Sequence, residues 1–148
     1  MRIPQMVAAL ALLSLPAAAS GHGFNVDGLW VGTGMNMGFE SDGVGLLVGG
    51  EISVAELDDT HWYGGFLDVL YAAEGETTRV TFGLEGGYFL FGADVGMTID
   101  ADTRDVGGRV RGLLSLAMQT VYVGGLLFPD ETPVLEAGVI VKLPIPLQ

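Results

Sequence analysis

Across residues 29–39 the odd positions read Leu29, Val31, Thr33, Met35, Met37 and Phe39, and the even positions read Trp30, Gly32, Gly34, Asn36 and Gly38. Successive side chains of a β-strand point to opposite faces, so this period of two marks a strand with one apolar side and one small or polar side. The same alternation recurs nearly to the end of the chain, in eight segments: 27–40, 43–57, 61–72, 77–88, 90–100, 104–118, 120–128 and 134–145. Turn-forming residues separate most of them, in Glu40-Ser41-Asp42-Gly43, Asp58-Asp59-Thr60, Glu74-Gly75-Glu76, Asp100-Ala101-Asp102-Thr103 and Pro129-Asp130-Glu131-Thr132-Pro133. The gaps at Tyr88-Phe89-Leu90 and Met118-Gln119 lack such residues, and the first of them is placed by a flip of the apolar register from even to odd. No segment has a helical period. The pattern predicts an all-β, eight-stranded antiparallel up-and-down meander, closed into a barrel because closure removes the two edges of an open sheet.

The two faces differ sharply. The apolar parity carries Leu46, Ile52 and Val54, then Leu67 and Val69, Phe82 and Leu84, Val95 and Met97, and so on to Val141, Leu143 and Ile145, with no charge inside a strand. Glu56 and Arg104 share that parity only at strand ends. The other parity holds Glu51, Asp68, Arg79, Glu85, Asp94, Arg109, Arg111, Glu136 and Lys142, together with both tryptophans and most strand glycines. The lumen of an eight-stranded barrel is just wide enough to be filled by side chains. Glycines there make room for Trp30, Trp62 and the long charged chains. Charges kept from water need partners, so these five acids and four bases are expected to form a nearly neutral structural network across a Gly-rich lumen, with Arg109 meeting Glu85 or Asp94.

Which face meets solvent decides the class of protein. A soluble barrel would expose glycine and scattered charges and bury the apolar face. A barrel in lipid exposes the apolar face, where a mid-bilayer Arg or Lys costs ~2–4 kcal/mol, which accounts for a face without charge. Segments of this length also suit the ~9–11 tilted residues that cross the hydrocarbon. Phe39, Tyr63, Tyr71 and Tyr88 fall near strand ends, where an aromatic girdle sits. The apolar-outward barrel is therefore favoured over a soluble closed barrel and a β-sandwich.

The first twenty residues are of another kind. Arg2 gives a positive start, residues 6–15 are apolar, and Pro16-Ala17-Ala18-Ala19-Ser20 supplies small residues for cleavage after Ala19 or Ser20. This reads as a secretory signal peptide over residues 1–20, followed by a barrel domain over 25–148. The apolar run is too short to span a bilayer as a helix. The absence of cysteine excludes disulfides, thiolate chemistry and a lipid-modified cysteine. The whole chain carries a formal charge of −12, and with Arg2 in the leader the remainder sets 18 acids against five bases. Nucleic acid is not a partner for such a chain, because binding phosphate needs a basic stripe. Only 16% of residues are charged and 49% are hydrophobic, unlike a soluble surface.

On these residues the chain resembles the small eight-stranded outer-membrane barrels of Gram-negative bacteria, the OmpA/OmpX-like class. The resemblance covers everything after the leader and rests on pattern: signal, eight alternating strands, acidic turns, no cysteine. Gly49-Gly50-Glu51, Trp62-Tyr63-Gly64-Gly65 and Lys142-Leu143-Pro144-Ile145-Pro146-Leu147 are also similar to uncharacterised barrel-like proteins of myxobacteria. The resemblance implies a lipid bilayer as partner and the bacterial outer membrane as location, and a closed barrel requires no oligomer. Such barrels usually end in an aromatic residue, whereas this chain ends Pro144-Ile145-Pro146-Leu147-Gln148, and the two prolines are expected to end the last strand early.

Chemistry-bearing patterns are sparse. His22 lies at the start of the exported part and His61 opens a strand. A barrel hydrolase acting on lipid needs a serine, a histidine and an acid on one face, but Ser53 and Ser115 face inward by parity and His61 outward. Asp100-Ala101-Asp102-Thr103-Arg104-Asp105 alternates carboxylates like a calcium loop yet lacks its glycine and distal glutamate, and reads as a solvated acidic turn. Gly32-Thr33-Gly34 opens no helix and is no phosphate cradle. No catalytic, metal or cofactor residue is assigned, and no small-molecule ligand is indicated. The expectation is a non-catalytic outer-membrane barrel with a structural or surface-interaction role. Its rivals are a soluble, secreted lipocalin-like barrel holding an apolar ligand and, more remotely, a lipid-modifying hydrolase.

Overall fold

The alternating segments form eight strands in a computed structural model, which describes residues 27–41, 45–58, 60–116, 118–129 and 131–147. Residues 1–20, expected to be a signal peptide, lie outside the described residues. The strands are β1 (Gly28–Glu40), β2 (Gly45–Asp58), β3 (His61–Ala72), β4 (Thr77–Tyr88), β5 (Phe91–Asp100), β6 (Val106–Leu116), β7 (Gln119–Leu127) and β8 (Val134–Pro146). Each pairs antiparallel with the next, and β8 returns to β1 to close the barrel. Closure leaves no continuous open edge, as an up-and-down meander of this size requires.

The two ends of the barrel differ. Two residues join β2 to β3, β4 to β5 and β6 to β7, while the other links run to between four and six residues. The β4–β5 turn shows why its sequence carries no turn signal. Phe89 takes φ 54°, the left-handed conformation that a two-residue hairpin normally assigns to glycine. The pairing of Tyr88 with Phe91 forces the bend, and the Phe89 N–H donates to the Thr60 carbonyl of the neighbouring turn at 2.5 Å.

The apolar parity faces outward on every strand. Leu84 is 70% exposed and Phe91 67%, whereas inward Asp68, Thr81 and Thr98 are at 0%. Among the described strand residues the outward acids are Glu56 and Asp58, both beside the short β2–β3 turn. Glu56 accepts a hydrogen bond from the Tyr63 hydroxyl opposite it, at 2.6 Å. Tyr63, Tyr88, Phe89 and Phe91 gather at the short-turn end, and Phe39 and Tyr71 lie toward the other.

The last strand corrects one expectation. β8 does not stop before its prolines but pairs with β1 as far as Pro146 opposite Trp30. The Lys142 N–H donates to Met118 O at 2.8 Å and the Leu147 N–H to Leu29 O at 2.9 Å. Even residues of β8 thus turn their N–H toward β7 and odd residues toward β1. β7 pairs with β8 only as far as Val141 opposite Gln119. Pro144 and Pro146 therefore occupy positions whose N–H would face an unpaired edge, where a missing donor costs nothing.

The lumen is also more apolar than the charge pattern suggested. Leu47, Phe66, Leu70, Leu113, Leu126 and Ile140 share the inward face and are buried with Tyr122. Glycine makes the space for the larger chains. A Cβ on Gly87 would lie 2.6 Å from the Trp62 ring, and one on Gly92 would also strike it. A Cβ on Gly124 would sit 2.7 Å from Arg111 Cγ, and Cβ atoms on Gly38 and Gly138 would each come within 2.6 Å of the Tyr122 hydroxyl.

Candidate functional site

The centre of the lumen is built around Arg111 on β6. Its Nε donates to Asp94 Oδ2 at 2.8 Å, one terminal nitrogen to Glu51 Oε2 at 2.9 Å, and the other approaches Asp68 Oδ2 at 3.4 Å. A guanidinium presents donors in a rigid planar fork, and here three strands supply its acceptors. The rings of Phe66 and Tyr122 lie 5.2 and 5.1 Å from its central carbon, within cation–π range. The planar group is thus held at its edge by carboxylates and packed by aromatic rings.

Two further bases extend the network. Lys142 on β8 places Nζ 2.5 Å from Glu51 Oε1, 3.1 Å from Glu85 Oε2 and 3.2 Å from the Ser53 hydroxyl. Arg109 pairs closely with Asp68 and lies 4.0 Å from Glu136 Oε2. Glu85 and Asp94, the partners expected of Arg109, belong instead to Lys142 and Arg111. The reason is stagger. Asp94 lies directly opposite Arg111 on the adjacent strand, whereas Arg109 is level with Gly96.

Toward the long-loop end Arg79 donates to Glu40 Oε2 at 2.5 Å and lies 4.0 Å from Asp100. All nine charged residues selected by parity, Glu51, Asp68, Arg79, Glu85, Asp94, Arg109, Arg111, Glu136 and Lys142, lie inside the barrel and take part in ion pairs. Parity reasoning missed Glu40 and Asp100, which the turn composition had assigned to loops. Each closes a strand on its inward parity, and that continuation was the signal available. With them the lumen holds seven acids against four bases, so it is acidic and not nearly neutral. Glu40 and Glu136 even stand opposite one another on β1 and β8, an arrangement that like charge disfavours. Of that pair, Arg79 meets Glu40 and Arg109 lies near Glu136.

The other candidate groups are engaged locally. Asp100 accepts from the Thr77 hydroxyl at 2.7 Å and from the backbone N–H groups of Asp102 and Thr103 at 3.0 and 3.1 Å, while Asp102 accepts from Thr78 N–H at 3.0 Å. These carboxylates cap the β5–β6 loop, the role such turn residues commonly play. His61 is exposed, hydrogen-bonds Thr60 at 3.3 Å and sets its ring edge-on to Tyr88 at 5.0 Å. Ser53 accepts from Lys142, and Ser115 bonds Thr120 at 3.1 Å. No hydrogen bond joins the His61 ring to either serine among the described residues. Tyr122 donates to Asn36 Oδ1 at 3.0 Å, a cross-lumen bond that charge counting could not reveal.

No protein-family model, curated protein or solved structure matches this chain. The functional reading therefore rests on its geometry.

Proposed function

We propose that this chain is a non-catalytic outer-membrane β-barrel with a structural or surface-interaction role, exported by its leader and held with its outer face in lipid. The observation that carries this reading is the distribution of charge. Strand interiors show no charge outward, while seven acids and four bases are enclosed. Enclosing charge costs several kcal/mol per ion even after relaxation. A water-facing exterior would accept those side chains at no such cost, so their enclosure makes sense where the outside is the worse place for them. The exposed Met35, Leu84, Val95, Phe91 and Leu135 form an apolar exterior suited to hydrocarbon. Aromatic side chains near the ends and the confinement of Glu56 and Asp58 to the short-turn end fit the two interfaces. The longer links, all acidic, supply the surface for any interaction outside the membrane.

The test is fractionation with heat-modifiability. The full chain with its leader is expressed in a Gram-negative host, membranes are separated, and gels are run with and without boiling. Recovery in the outer membrane with a boiling-dependent mobility shift is expected. Recovery as soluble periplasmic protein without a shift would overturn the reading and favour a soluble barrel.

A further inference from the structure

Between the lumen network and the short-turn end lies a cavity of about 490 Å³, within the range of small-molecule sites. Trp30, Trp62, Leu113 and Ile140 form its apolar wall. Glu51, Glu85, Asp94 and Lys142 form its polar base, and turn residues Thr60, Phe89 and Leu90 border it at the barrel end. An apolar wall with a few convergent polar groups is the usual make-up of a ligand site.

The base sets the sign of the ligand. Of the three carboxylates there, Glu51 and Glu85 pair with Lys142 and Asp94 with Arg111, which Glu51 also shares, so three negative charges face two positive ones. Lys142 already has three acceptors around its Nζ, so it has little left to offer an anion. Asp94 is 2% exposed, and its Oδ1 is buried without a hydrogen-bond partner. A buried acceptor left unmatched favours any ligand that brings a donor to it. Trp30 and Trp62 line the same cavity, and a tryptophan beside a cation favours it over a neutral group.

We propose that this cavity binds a small organic cation, an ammonium group on an apolar body, entering from the short-turn end with the ammonium directed to Asp94 and the body against Trp62, Leu113 and Ile140. The site lies in the lumen whichever solvent surrounds the barrel, so it does not depend on the membrane reading.

The only two tryptophans of the chain both line the cavity, so intrinsic fluorescence reports occupancy. The full chain, in non-ionic detergent or in buffer according to how it fractionates, is titrated with 2-phenylethylammonium, with neutral 2-phenylethanol and with anionic 3-phenylpropionate. A saturable change is expected for the cation, with affinity at least roughly tenfold above the other two, the worth of one charge-assisted hydrogen bond. Ala55→Leu, which narrows the cavity from β2 and leaves every charged residue in place, is expected to weaken it. Asp94→Asn is expected to weaken it by roughly tenfold. Equal response to all three probes, or a response to the cation that does not saturate, overturns the proposal. So does an Ala55→Leu protein with an intact β spectrum that titrates like the parent. The probe series needs no variant, so a variant that fails to fold leaves the test decisive.

Discussion

Arg111 on β6 donates to Glu51 on β2 at 2.9 Å, and these two strands stand opposite one another in the closed order of eight. The bond is a strut across the full width of the lumen. Lys142 on β8 grips the other oxygen of the same carboxylate at 2.5 Å, so Glu51 ties three separated strands together.

Removing the strut should be costly. Arg111→Met leaves Glu51, Asp68 and Asp94 without their shared cation, and breaking a buried pair in this way costs ~3–5 kcal/mol. Arg109→Met takes from Asp68 the nearer of its two arginines and from Glu136 its neighbouring cation, and should act in the same direction. A lowered midpoint in urea unfolding is expected for both. An unchanged midpoint for Arg111→Met would show that the network contributes nothing to holding the wall.

Charge on the outer face should be penalised by depth. Ile52 faces outward at the middle of β2, and Glu56 faces outward near its end. In a lipid-embedded barrel Ile52→Arg should cost ~2–4 kcal/mol and Glu56→Arg only ~0–1 kcal/mol. Folding into phospholipid vesicles, followed by urea unfolding, measures both. Equal tolerance of the two substitutions would mean that this face does not meet hydrocarbon.

Glycines of the two faces should differ in kind. Gly138→Ala drives a Cβ to within 2.5 Å of the Met37 carbonyl and 2.6 Å of the Tyr122 hydroxyl, whereas the nearest atom to a Cβ on outward Gly112 is 3.9 Å away. Overpacking costs typically ~1–3 kcal/mol. Gly138→Ala should therefore unfold earlier in denaturant than the parent, while Gly112→Ala should be nearly silent. Matching losses at both sites would point to a general backbone effect.

The prolines of β8 should act at the edge and not in the ladder. Replacing Pro144 and Pro146 by valine restores two N–H groups along the segment of β8 that β7 does not cover. An open row of donors and acceptors is a template for another strand. The double variant should keep its stability and gain a tendency to self-associate, seen by cross-linking and size-exclusion chromatography. A monomeric variant would show that the edge is shielded by something other than the prolines.

Much of this barrel was legible in the chain because a strand's period of two is a local property. The inward placement of Asp68 or Arg111 and the outward placement of Leu84 follow from parity alone. Glu40 and Asp100 were less legible because acids that open runs such as Glu40-Ser41-Asp42 and Asp100-Ala101-Asp102 look like turn residues, and only the register of β1 and β5 draws them inward. The role of Pro144 and Pro146 was hidden for a related reason. A proline reads as a strand end until the neighbouring strand is known to be absent on that side.

The sequence by itself determined the number of strands, their faces, and the segregation of charge from the apolar exterior, since each depends on side chains a few residues apart. Which charges meet was decided by the tertiary structure. Closure and stagger set Arg111 against Asp94 and Glu51, give Arg109 to Asp68, and leave Asp94 Oδ1 without a partner beside a cavity. Those relations join residues on strands far apart in the chain, and the vertical offset between such strands is fixed only when β8 pairs with β1.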